Sequence, residues 1–369
     1  METIYNCHTH IFTNEIVPSK FLPLGLIRFL SNHRISRRLG KFLNKLNPKS
    51  NDDIFDRAAS FLNIGNFKSQ LEIFEFLKGF YPEDSKFIIL SMDMEYMRAG
   101  KVRQDFTQQL DKLSNIKKKY PDQIFPFIAV DPRRPNITNV VKKYIEEHNF
   151  QGIKLYPPLG YYPFDERLYQ VYEYAQNNKI PIISHCSPGI VYYRGKITKE
   201  MLVHPITEEK LIYKNKQQFA EYFTHPNNYE ILLKDFPDLK ICFAHFGGPV
   251  EWKKYLDTSW DKNMEISWFS VIIDLIKNNP SVYADISYTM HDVDLHPLLK
   301  VILQDQQVRT KVLYGSDFYM LEMFKSERSF SINLRAYLCE KDYQQISEIN
   351  PKIFLLHKSF IFCRRTKLL

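Results

Sequence analysis

The stretch Asn6-Cys7-His8-Thr9-His10 lies near the start of the chain and holds two histidines separated by one residue. The residues before it, Ile4 and Tyr5, favour a β-strand. Because side chains alternate between the faces of a strand, His8 and His10 point the same way, about 7 Å apart along the strand. Two imidazoles on one face can bind a metal ion such as zinc, iron, nickel or copper. The stretch therefore predicts a metal site at the end of a first strand.

The rest of the chain alternates short apolar runs with amphipathic helical sequence. Continuous runs such as Phe87-Ile88-Ile89-Leu90 are typical of parallel strands buried on both faces. After the first strand, the predicted strands are residues 86–91, 124–130, 152–156, 181–186, 240–246, 282–288 and 312–317. Eight strands, each followed by helical sequence, predict an α/β fold of the (β/α)8 or TIM-barrel type. An open doubly wound sheet would be expected to carry a glycine-rich turn after its first strand, where this chain has the His pair.

Length and composition fit a globular enzyme-sized domain. The chain has 369 residues, of which 44% are apolar, and we expect one domain over residues 1–369 with a helical insertion at 14–84. The five cysteines are scattered, without a Cys-x-x-Cys pair, and no signal peptide is evident. These features predict reduced thiols and a cytoplasmic location. We expect Cys7, Cys186 and Cys242 to be partly buried, and strand alternation predicts that Cys7 and Cys186 turn away from the adjacent histidines, toward the helices. No apolar run is long enough to span a membrane.

The net charge of +8 is localised in one part of the predicted insertion. Residues 20–49 hold eight Lys or Arg and no Asp or Glu, so the remainder of the chain is neutral. The charge therefore does not indicate a nucleic-acid partner, and we expect a small-molecule substrate; a homo-oligomer stays open. We interpret 14–84 as a helical cap beside the barrel mouth, with helices within 54–80. A basic stretch of this kind can also contact an anionic membrane, but more often it is the solvated face of a docked helix.

Residues able to bind metal or transfer protons recur at the carboxyl ends of the predicted strands, where TIM-barrel enzymes place catalytic groups. They are His8, His10, Lys154, His185, His245 and Asp317, with Tyr288 near the end of the seventh strand. The other histidines fall in predicted loops or helices, and we interpret them as surface or packing residues. His291 lies closest to the predicted rim.

These residues resemble the amidohydrolase superfamily, and most closely its amidohydrolase-related (amidohydrolase 2) branch of hydrolases and non-oxidative decarboxylases. The similar stretches run in family order through nearly the whole chain. They are Asn6-Cys7-His8-Thr9-His10-Ile11-Phe12, Gly152-Ile153-Lys154-Leu155-Tyr156-Pro157, Ile183-Ser184-His185-Cys186, Phe236-Pro237-Asp238-Leu239-Lys240, Phe243-Ala244-His245-Phe246-Gly247-Gly248, Tyr283-Ala284-Asp285-Ile286-Ser287 and Tyr314-Gly315-Ser316-Asp317. Asn6 departs from the family, which often has Asp there, and no family role transfers to residues 14–84.

The resemblance implies a divalent metal, usually zinc, present as one or two ions and held by His8, His10, His185 and Asp317. It also implies that Asp317 takes a proton from a metal-activated water and passes it to the leaving group. His245 would polarise the substrate oxygen or bind a second ion. The implied function is a metal-dependent hydrolase of a carboxylic ester, lactone or amide. The alternative is a lyase, a non-oxidative decarboxylase of an aromatic or enol acid.

Three interpretations of Lys154 stay open. In binuclear relatives a lysine at this position carries a carboxylate formed with carbon dioxide and bridges two metals. It could instead remain an ammonium that binds an acidic substrate, which would make it a catalytic residue, or pair structurally with a barrel carboxylate. A related phosphoesterase with a glutamate at this position is disfavoured by Lys154. A non-enzymatic barrel is disfavoured because all six site residues are present.

The loops expected to close the mouth are rich in tyrosine, and such loops decide specificity on this scaffold. The residues concerned are Tyr156, Tyr161, Tyr162, Tyr192, Tyr193 and Tyr288. Aromatic walls suit a flat organic substrate, although the tyrosines could equally serve only to pack the loops. Arg194 could bind a substrate carboxylate, but the sequence does not fix its direction.

Overall fold

The predicted barrel is confirmed. The computed structural model describes residues 3–21, 64–189, 191–258 and 265–356. Within them, eight parallel strands pair in sequence order. The strands are β1 (Tyr5–Thr9), β2 (Lys86–Leu90), β3 (Ile124–Val130), β4 (Gly152–Leu155), β5 (Ile182–His185), β6 (Ile241–Ala244), β7 (Val282–Asp285) and β8 (Val312–Leu313).

Helices follow the strands, as expected for βα units. They are α1 (Gln70–Lys78), α2 (Phe106–Lys119), α3 (Ile137–His148), α4 (Tyr169–Asn178), α5 (Lys216–Thr224), α6 (Asn228–Asp235), α7 (Pro249–Thr258), α8 (Trp268–Asn278), α9 (His296–Ile302), α10 (Gln306–Arg309), α11 (Phe318–Leu321), α12 (Glu327–Leu338), α13 (Glu340–Gln344) and α14 (Asn350–Leu355). Helix α1 lies within the predicted insertion. The basic segment 20–49 falls almost wholly, and residues 54–63 entirely, outside the described residues, so the cap stays a prediction. No described helix combines the length and apolarity needed to cross a membrane.

Backbone hydrogen bonds join the last strand to the first. The Cys7 amide donates to the Tyr314 carbonyl at 2.8 Å, and the Asp317 amide donates to the His8 carbonyl at 2.8 Å. Because β8 and the residues after it meet β1, the chain forms a nearly closed barrel. This closure brings His8 beside Asp317, which is more than three hundred residues further along the chain.

The barrel interior is filled by its own cluster of buried side chains. Seven strands contribute to it, and such a contiguous cluster can lie only inside the barrel. Its members from the strands are Tyr5, Cys7, Ile88, Leu90, Phe125, Phe127, Ile183, Cys242, Ala244, Tyr283 and Leu313. Phe354 and Leu355 of α14 join the cluster and cover the end opposite the candidate site. A larger cluster packs between the strands and the surrounding helices.

The first strand carries an irregularity that the sequence does not reveal. Asn6 pairs with Phe87 and Thr9 with Ile89, so three steps on β1 face two steps on β2. Irregularities of this kind re-aim side chains. We predicted from strict alternation that Cys7 faces the helices, and this is wrong, because Cys7 packs inside the barrel beside Cys242. Cys186 does pack toward the helices as predicted, and Cys7, Cys186 and Cys242 are buried free thiols.

Several predicted strands extend too far at their carboxyl ends. The seventh strand was predicted to reach Tyr288 but ends at Asp285, and the eighth ends at Leu313. The backbone leaves the extended conformation at these ends, with φ of 65° at His245, 60° at Tyr288 and 53° at Asp317. Left-handed conformations cost L-residues roughly 1–2 kcal/mol each and gather at functional sites. Three of the strand ends that face the candidate site are therefore strained.

Candidate metal centre

A cavity of about 200 Å³ lies at the carboxyl ends of the strands. Five of the six predicted site residues line it: His8, His10, His185, His245 and Asp317. The remaining lining residues are Phe12, Met92, Met94, Tyr156, Ser187, Pro188, Gly189, Val191, Gln217, Tyr288, Tyr319 and Met320. The structure thus brings together residues from β1, β5, β6 and the loop after β8.

The two histidines of β1 have their proton positions fixed by acceptors. His8 Nδ1 lies 3.0 Å from Oδ2 of Asp285, and His10 Nδ1 lies 2.9 Å from the carbonyl oxygen of Leu90. A carboxylate or carbonyl oxygen can only accept, so Nδ1 carries the proton in both rings. Each Nε2 then has a free lone pair, which is the form in which imidazole binds a metal.

Asp317 completes a group of three possible ligands. The ligand atoms of His8, His10 and Asp317 lie within 4.8 Å of one another. The Asp317 side chain is 5% exposed, and none of the hydrogen bonds within the described residues ends on its carboxylate oxygens. Burial raises the pKa of this carboxyl group to about 7, against the opposing effect of Lys154. The group is thus poised to gain or lose a proton near neutral pH.

His185 and His245 face each other across the cavity. His185 Nε2 donates to the Ser187 carbonyl at 3.0 Å, and His245 Nδ1 lies 3.2 Å from the Ser287 carbonyl. With these protons assigned, the two nitrogens that remain, His185 Nδ1 and His245 Nε2, are both acceptors and lie 3.2 Å apart. Two lone pairs at this distance repel each other unless a proton or a cation lies between them.

All four histidines are kept neutral by the same cause. Burial is the largest influence on each ring, and the Lys154 charge acts in the same direction. Together, burial and the Lys154 charge lower the pKa of His10 to about 3. They lower the pKa values of His8, His185 and His245 well below the ordinary range of histidine. Neutral imidazoles offer lone pairs to a cation at neutral pH.

Asp285, at the end of β7, belongs to the site, although the sequence did not identify it as a site residue. Its carboxylate accepts hydrogen bonds from His8 Nδ1, from the backbone amides of His245 and Ser287 at 3.1 Å each, and from the Ser287 hydroxyl. It also lies within 4.8 Å of His8 and His245 ligand atoms. Because its acceptor sites are occupied by these donors, Asp285 orients the histidines. The stretch Tyr283-Ala284-Asp285-Ile286-Ser287, which resembles the family, could have identified Asp285. The strand was predicted to continue to residue 288, so Asp285 was placed inside the strand and not at its carboxyl end.

Lys154 lies behind the cavity rather than in its wall. Its side chain is fully buried, and Nζ has no hydrogen-bond partner within the described residues. Burial lowers its pKa to about 8, while the charges of Asp285 and Asp317 act in the opposite direction. The described residues show no ion pair of Lys154 within 4.0 Å, which speaks against the structural pairing that we considered. Carboxylation and a bare ammonium both stay open.

The cavity wall is mainly apolar and is held by the loop after β2. Met92 and Met94, which the sequence analysis did not identify, follow this strand directly. The buried Gln109 side chain accepts from the Met92 amide at 2.9 Å and donates to the Met92 carbonyl at 2.8 Å. Asp93, which lies between the two methionines in the sequence, accepts two hydrogen bonds of 2.6 and 3.0 Å from Arg134. These contacts fix one wall of the cavity.

Only some of the predicted loop aromatics reach the cavity. Tyr156 and Tyr288 line it, and the Tyr156 ring stacks on His185 with centroids 4.4 Å apart. Tyr161 instead packs the loop, since its hydroxyl accepts from the Tyr156 amide at 2.8 Å and donates to the Val130 carbonyl at 2.9 Å. Tyr162, Tyr192 and Tyr193 do not line the cavity, and Arg194 lies over the Tyr192 ring at 4.2 Å.

The rim histidine His291 does not line the cavity either. It stacks on Tyr288 with centroids 4.6 Å apart, and its Nδ1 donates to the Tyr288 carbonyl at 2.7 Å. This contact supports the left-handed turn at Tyr288.

The donor set fits a divalent metal. It consists of neutral imidazoles and one carboxyl group, which is the ligand chemistry of zinc and of related transition metals. Two imidazole nitrogens bound about 2.1 Å from one tetrahedral ion would be about 3.4 Å apart. The facing nitrogens of His185 and His245 are 3.2 Å apart, which agrees with a shared ion. Close by, the buried Nζ of Lys154 has no hydrogen-bond partner among the described residues, which leaves it available to a bound group.

Solved structures with the same fold include enzymes with different reactions. A 5-carboxyvanillate decarboxylase from Novosphingobium aromaticivorans, solved with manganese and 4-hydroxy-3-methoxy-5-nitrobenzoic acid, is 15% identical over 96% of each chain, with a TM-score of 0.57. A 2,6-dihydroxybenzoate decarboxylase from Rhizobium is 12% identical, with a TM-score of 0.53, over 96% of this chain and 99% of that one. A 4-oxalomesaconate hydratase from Rhodopseudomonas palustris is 16% identical over 99% of each chain, with a TM-score of 0.51. At sequence identities of 12–16%, the similarity to these structures shows a shared fold and not a shared reaction.

The sequence comparison gives the family. No curated protein matches this chain at a significant level. The family description "Amidohydrolase" matches residues 86–341, which is more than half of the chain and contains four of the six predicted site residues. With the barrel and its cluster of histidines and carboxyl groups, this match shows that the chain is an enzyme belonging to the amidohydrolase family.

Proposed function

We propose that this protein is a metal-dependent hydrolase that cleaves an ester, lactone or amide bond of a small, flat organic substrate. The observation that carries the proposal is the placement of the Asp317 carboxyl group. It lies beside His8 and His10 at the cavity, and no described hydrogen bond occupies it. A carboxyl group in this position can take a proton from a nucleophile and return it to a leaving group.

The metal ligands would be His8, His10 and Asp317, with His185 and His245 as further nitrogen donors. When bound, a divalent ion supplies a Lewis acid and a water of pKa about 7. Zinc is our first expectation, and manganese is the ion in one structure of similar fold. Asp285 holds His8 in the tautomer that presents Nε2, through the 3.0 Å contact described above.

The chain's own residues would bind the substrate by excluding water and by stacking. Phe12, Tyr156, Tyr288 and the methionines give the cavity a largely apolar wall. Aromatic side chains bind flat rings face to face or edge to face. Gln217 and Ser187 place polar groups in the same wall, where they can orient a substrate oxygen or amide. A cavity of about 200 Å³ suits a substrate of roughly one ring with short substituents.

The experiment is a substrate screen with metal-loaded protein. Aryl esters, aryl lactones and anilides of one-ring size are offered to the purified protein loaded with zinc or with manganese. We expect hydrolysis of at least one class, and we expect Asp317→Asn to lower turnover by about 100- to 10,000-fold. Asp305→Asn, which changes a half-buried helix-capping aspartate that does not line the cavity, is the matched control. Folded, metal-loaded protein that hydrolyses none of the three classes would contradict the proposal.

Decarboxylation of an aromatic acid is the second candidate, and the apolar wall is the observation that favours it. An environment of low polarity disfavours a charged carboxylate relative to the neutral carbon dioxide that it releases. Asp317 would then protonate the ring carbon that loses the carboxyl group. Two of the proteins of similar fold are named as decarboxylases of aromatic acids. Carbon dioxide release from hydroxybenzoic acids, without ester hydrolysis, would favour this reaction over the first.

A further inference from the structure

A buried polar network lies directly behind the candidate metal centre, and neither proposed reaction uses it. We call it the Glu327 network. It consists of Asn6, Tyr81, Tyr314, Ser316 and Glu327, which come from β1, the segment before β2, the segment after β8 and helix α12. Its members meet next to β1, which carries His8, and next to the segment after β8, which carries Asp317.

Asn6 links those two strands through its amide group. Its Oδ1 accepts from the Ser316 backbone amide at 3.0 Å and from the His8 backbone amide at 3.3 Å. Its Nδ2 donates to the Ser316 hydroxyl at 2.8 Å. One side chain therefore holds the backbone at His8 and at the residue immediately before Asp317. A shift of Asn6 would move both groups.

The orientation of Asn6 is set from the other side by Glu327 and Tyr81. Nδ2 also lies 2.9 Å from the Tyr81 hydroxyl and 3.3 Å from Glu327 Oε1. The Tyr81 hydroxyl donates to Glu327 Oε1 and lies 3.0 Å from the Tyr314 hydroxyl. Because Glu327 offers an acceptor, the NH₂ group of Asn6 must point toward it, and the carbonyl group must point toward His8.

Glu327 is costly to bury, which makes a role in stability alone an incomplete account of it. Glu327, Asn6 and Ser316 are fully buried, and the second oxygen of Glu327 has no hydrogen-bond partner within the described residues. Its position in the first turn of α12 offsets part of this cost, since helix amino termini favour negative charge. Well-packed apolar residues often replace buried charged groups without loss of stability.

We propose that Glu327 is a positioning residue for the metal centre: acting through Tyr81 and Asn6, it fixes the relative placement of the strands that present His8 and Asp317. The inference rests on the metal site of the proposed function but does not depend on which reaction occurs there. Outer partners of metal ligands act in this way by fixing ligand orientation. Glu327 touches neither substrate nor metal in this arrangement.

The test uses cobalt(II), whose visible absorption spectrum reports the number and geometry of its ligands. Glu327→Ala, Glu327→Gln and Tyr81→Phe are compared with the unmodified protein, and cobalt affinity is measured by competition with a chelator. We expect Glu327→Ala and Tyr81→Phe to change the spectrum and to weaken cobalt binding by about 10- to 100-fold. Glu327→Gln keeps an acceptor for Asn6, so we expect it to restore much of the original spectrum.

Asp342→Asn is the matched control. Asp342 is a buried carboxylate in α13 that pairs with Arg309, and Arg309 directly precedes β8, at the end of the barrel opposite the candidate site. Its loss should lower the melting temperature while leaving the cobalt spectrum and affinity unchanged. If Asp342→Asn altered them as strongly as Glu327→Ala, general destabilisation would explain the effect and the inference would fail.

The remaining outcomes are also decisive. An unchanged spectrum and affinity in Glu327→Ala would overturn the inference, and if that variant does not fold, an unchanged Tyr81→Phe would do the same. Unmodified protein that binds no cobalt would remove the metal site and the inference with it. Protein that binds cobalt in the expected way but hydrolyses no substrate would count against the proposed function alone.

Discussion

Four buried histidines and two buried carboxyl groups share one small volume, and the contacts around them decide which form each can take. Carbonyl or carboxylate acceptors fix one proton on His8, His10, His185 and His245. Asp285 is occupied by hydrogen-bond donors, whereas Asp317 is not. Two aspartates at neighbouring strand ends therefore have separate roles, one orienting a ring and the other facing the cavity.

At the residue scale, we predict that His8→Ala removes the metal and leaves the barrel folded. The mutation deletes a proposed ligand and also leaves the buried Asp285 without its 3.0 Å partner. Loss of a residue that only hydrogen-bonds a metal ligand lowers metal affinity roughly 10- to 100-fold, and loss of a ligand should cost at least as much. Metal content after dialysis, measured by atomic emission, should therefore fall correspondingly. Asp317→Ala should have the same effect.

His148→Ala is the control for these variants. His148 stacks on Tyr144 and bonds to Ser114 on the outside of the barrel. Full metal content and full activity in either His8→Ala or Asp317→Ala would be incompatible with the proposed site.

Gly315→Ala gives a second prediction at this scale. A Cβ at position 315 would lie 2.8 Å from the Cβ of His8 and 3.1 Å from the Cβ of Ser287. Neither atom can rotate away, so β1 must shift. We expect a loss of about 1–3 kcal/mol in the free energy of unfolding, together with weaker metal binding. In Gly79→Ala the nearest contact is 3.3 Å, to the Phe76 carbonyl, so we expect a much smaller change. Equal melting temperatures for the two variants would contradict this reasoning.

At the scale of elements, sequence patterns located the strands but not the turns that follow them. Residues 124–130 were predicted with the observed bounds because their apolar pattern ends at a clear polar and turn signal, Asp131-Pro132. The end of β7 was not, because Ile286 and Tyr288 continue an apolar pattern after the backbone has turned. Asp285 was missed as a site residue for this reason.

The site was predictable where one residue type at a strand end carries the signal, as with His185 and His245. The cavity wall was not predictable in the same way. Met92 and Met94 face the cavity because Gln109 and Arg134 hold the loop after β2, and such contacts between distant residues leave no local pattern. Likewise, the irregular pairing of β1, along which the adjacent residues Cys7 and His8 both face the barrel interior, depends on its neighbour strand.

The loop after β2 supports a prediction about ion pairs. Arg134 donates from Nε and Nη2 to the two carboxylate oxygens of Asp93, and the side chains of the pair are 18% and 4% exposed. Arg167 makes the same bidentate contact with Asp165, but its side chain is 58% exposed. We expect Arg134→Gln to cost about 3 kcal/mol, because it leaves a buried carboxylate unpaired, and Arg167→Gln to cost about 0–1 kcal/mol. Denaturant unfolding of both variants would measure the difference, and similar losses would refute it.

At the scale of the whole molecule, we predict that Glu327 contributes stability to the metal-free protein that is lost as the pH rises through the weakly acidic range. Burial raises the pKa of Glu327 from 4.5 to about 7. Between these values the folded protein binds a proton at Glu327 that the unfolded chain has released. The contribution of Glu327 to the free energy of unfolding therefore falls by up to about 3 kcal/mol as pH rises from about 4.5 to about 7.

Glu327→Gln cannot titrate at this position, so the free energy of unfolding of the unmodified protein, relative to that of the variant, should fall over the same interval. Asp317, whose pKa is also raised to about 7 by burial, and the four buried histidines of the site titrate in both proteins, so the difference between the proteins isolates Glu327. The measurement is chelator-treated protein unfolded by urea at a series of pH values. Parallel stability curves for the two proteins would rule out the raised pKa.

The hydrogen bonds that join Cys7 to Tyr314 and His8 to Asp317 also bear on how the protein is made. The first strand leaves the ribosome long before the last one, and until then His8 and His10 have no carboxyl partner from position 317. Contacts between such distant parts of a chain form late, because closing a long loop is entropically costly. A nascent chain could hold a metal ion only weakly through two imidazoles. Tight capture would therefore coincide with the final closure of the barrel, so that metal uptake marks the completion of folding.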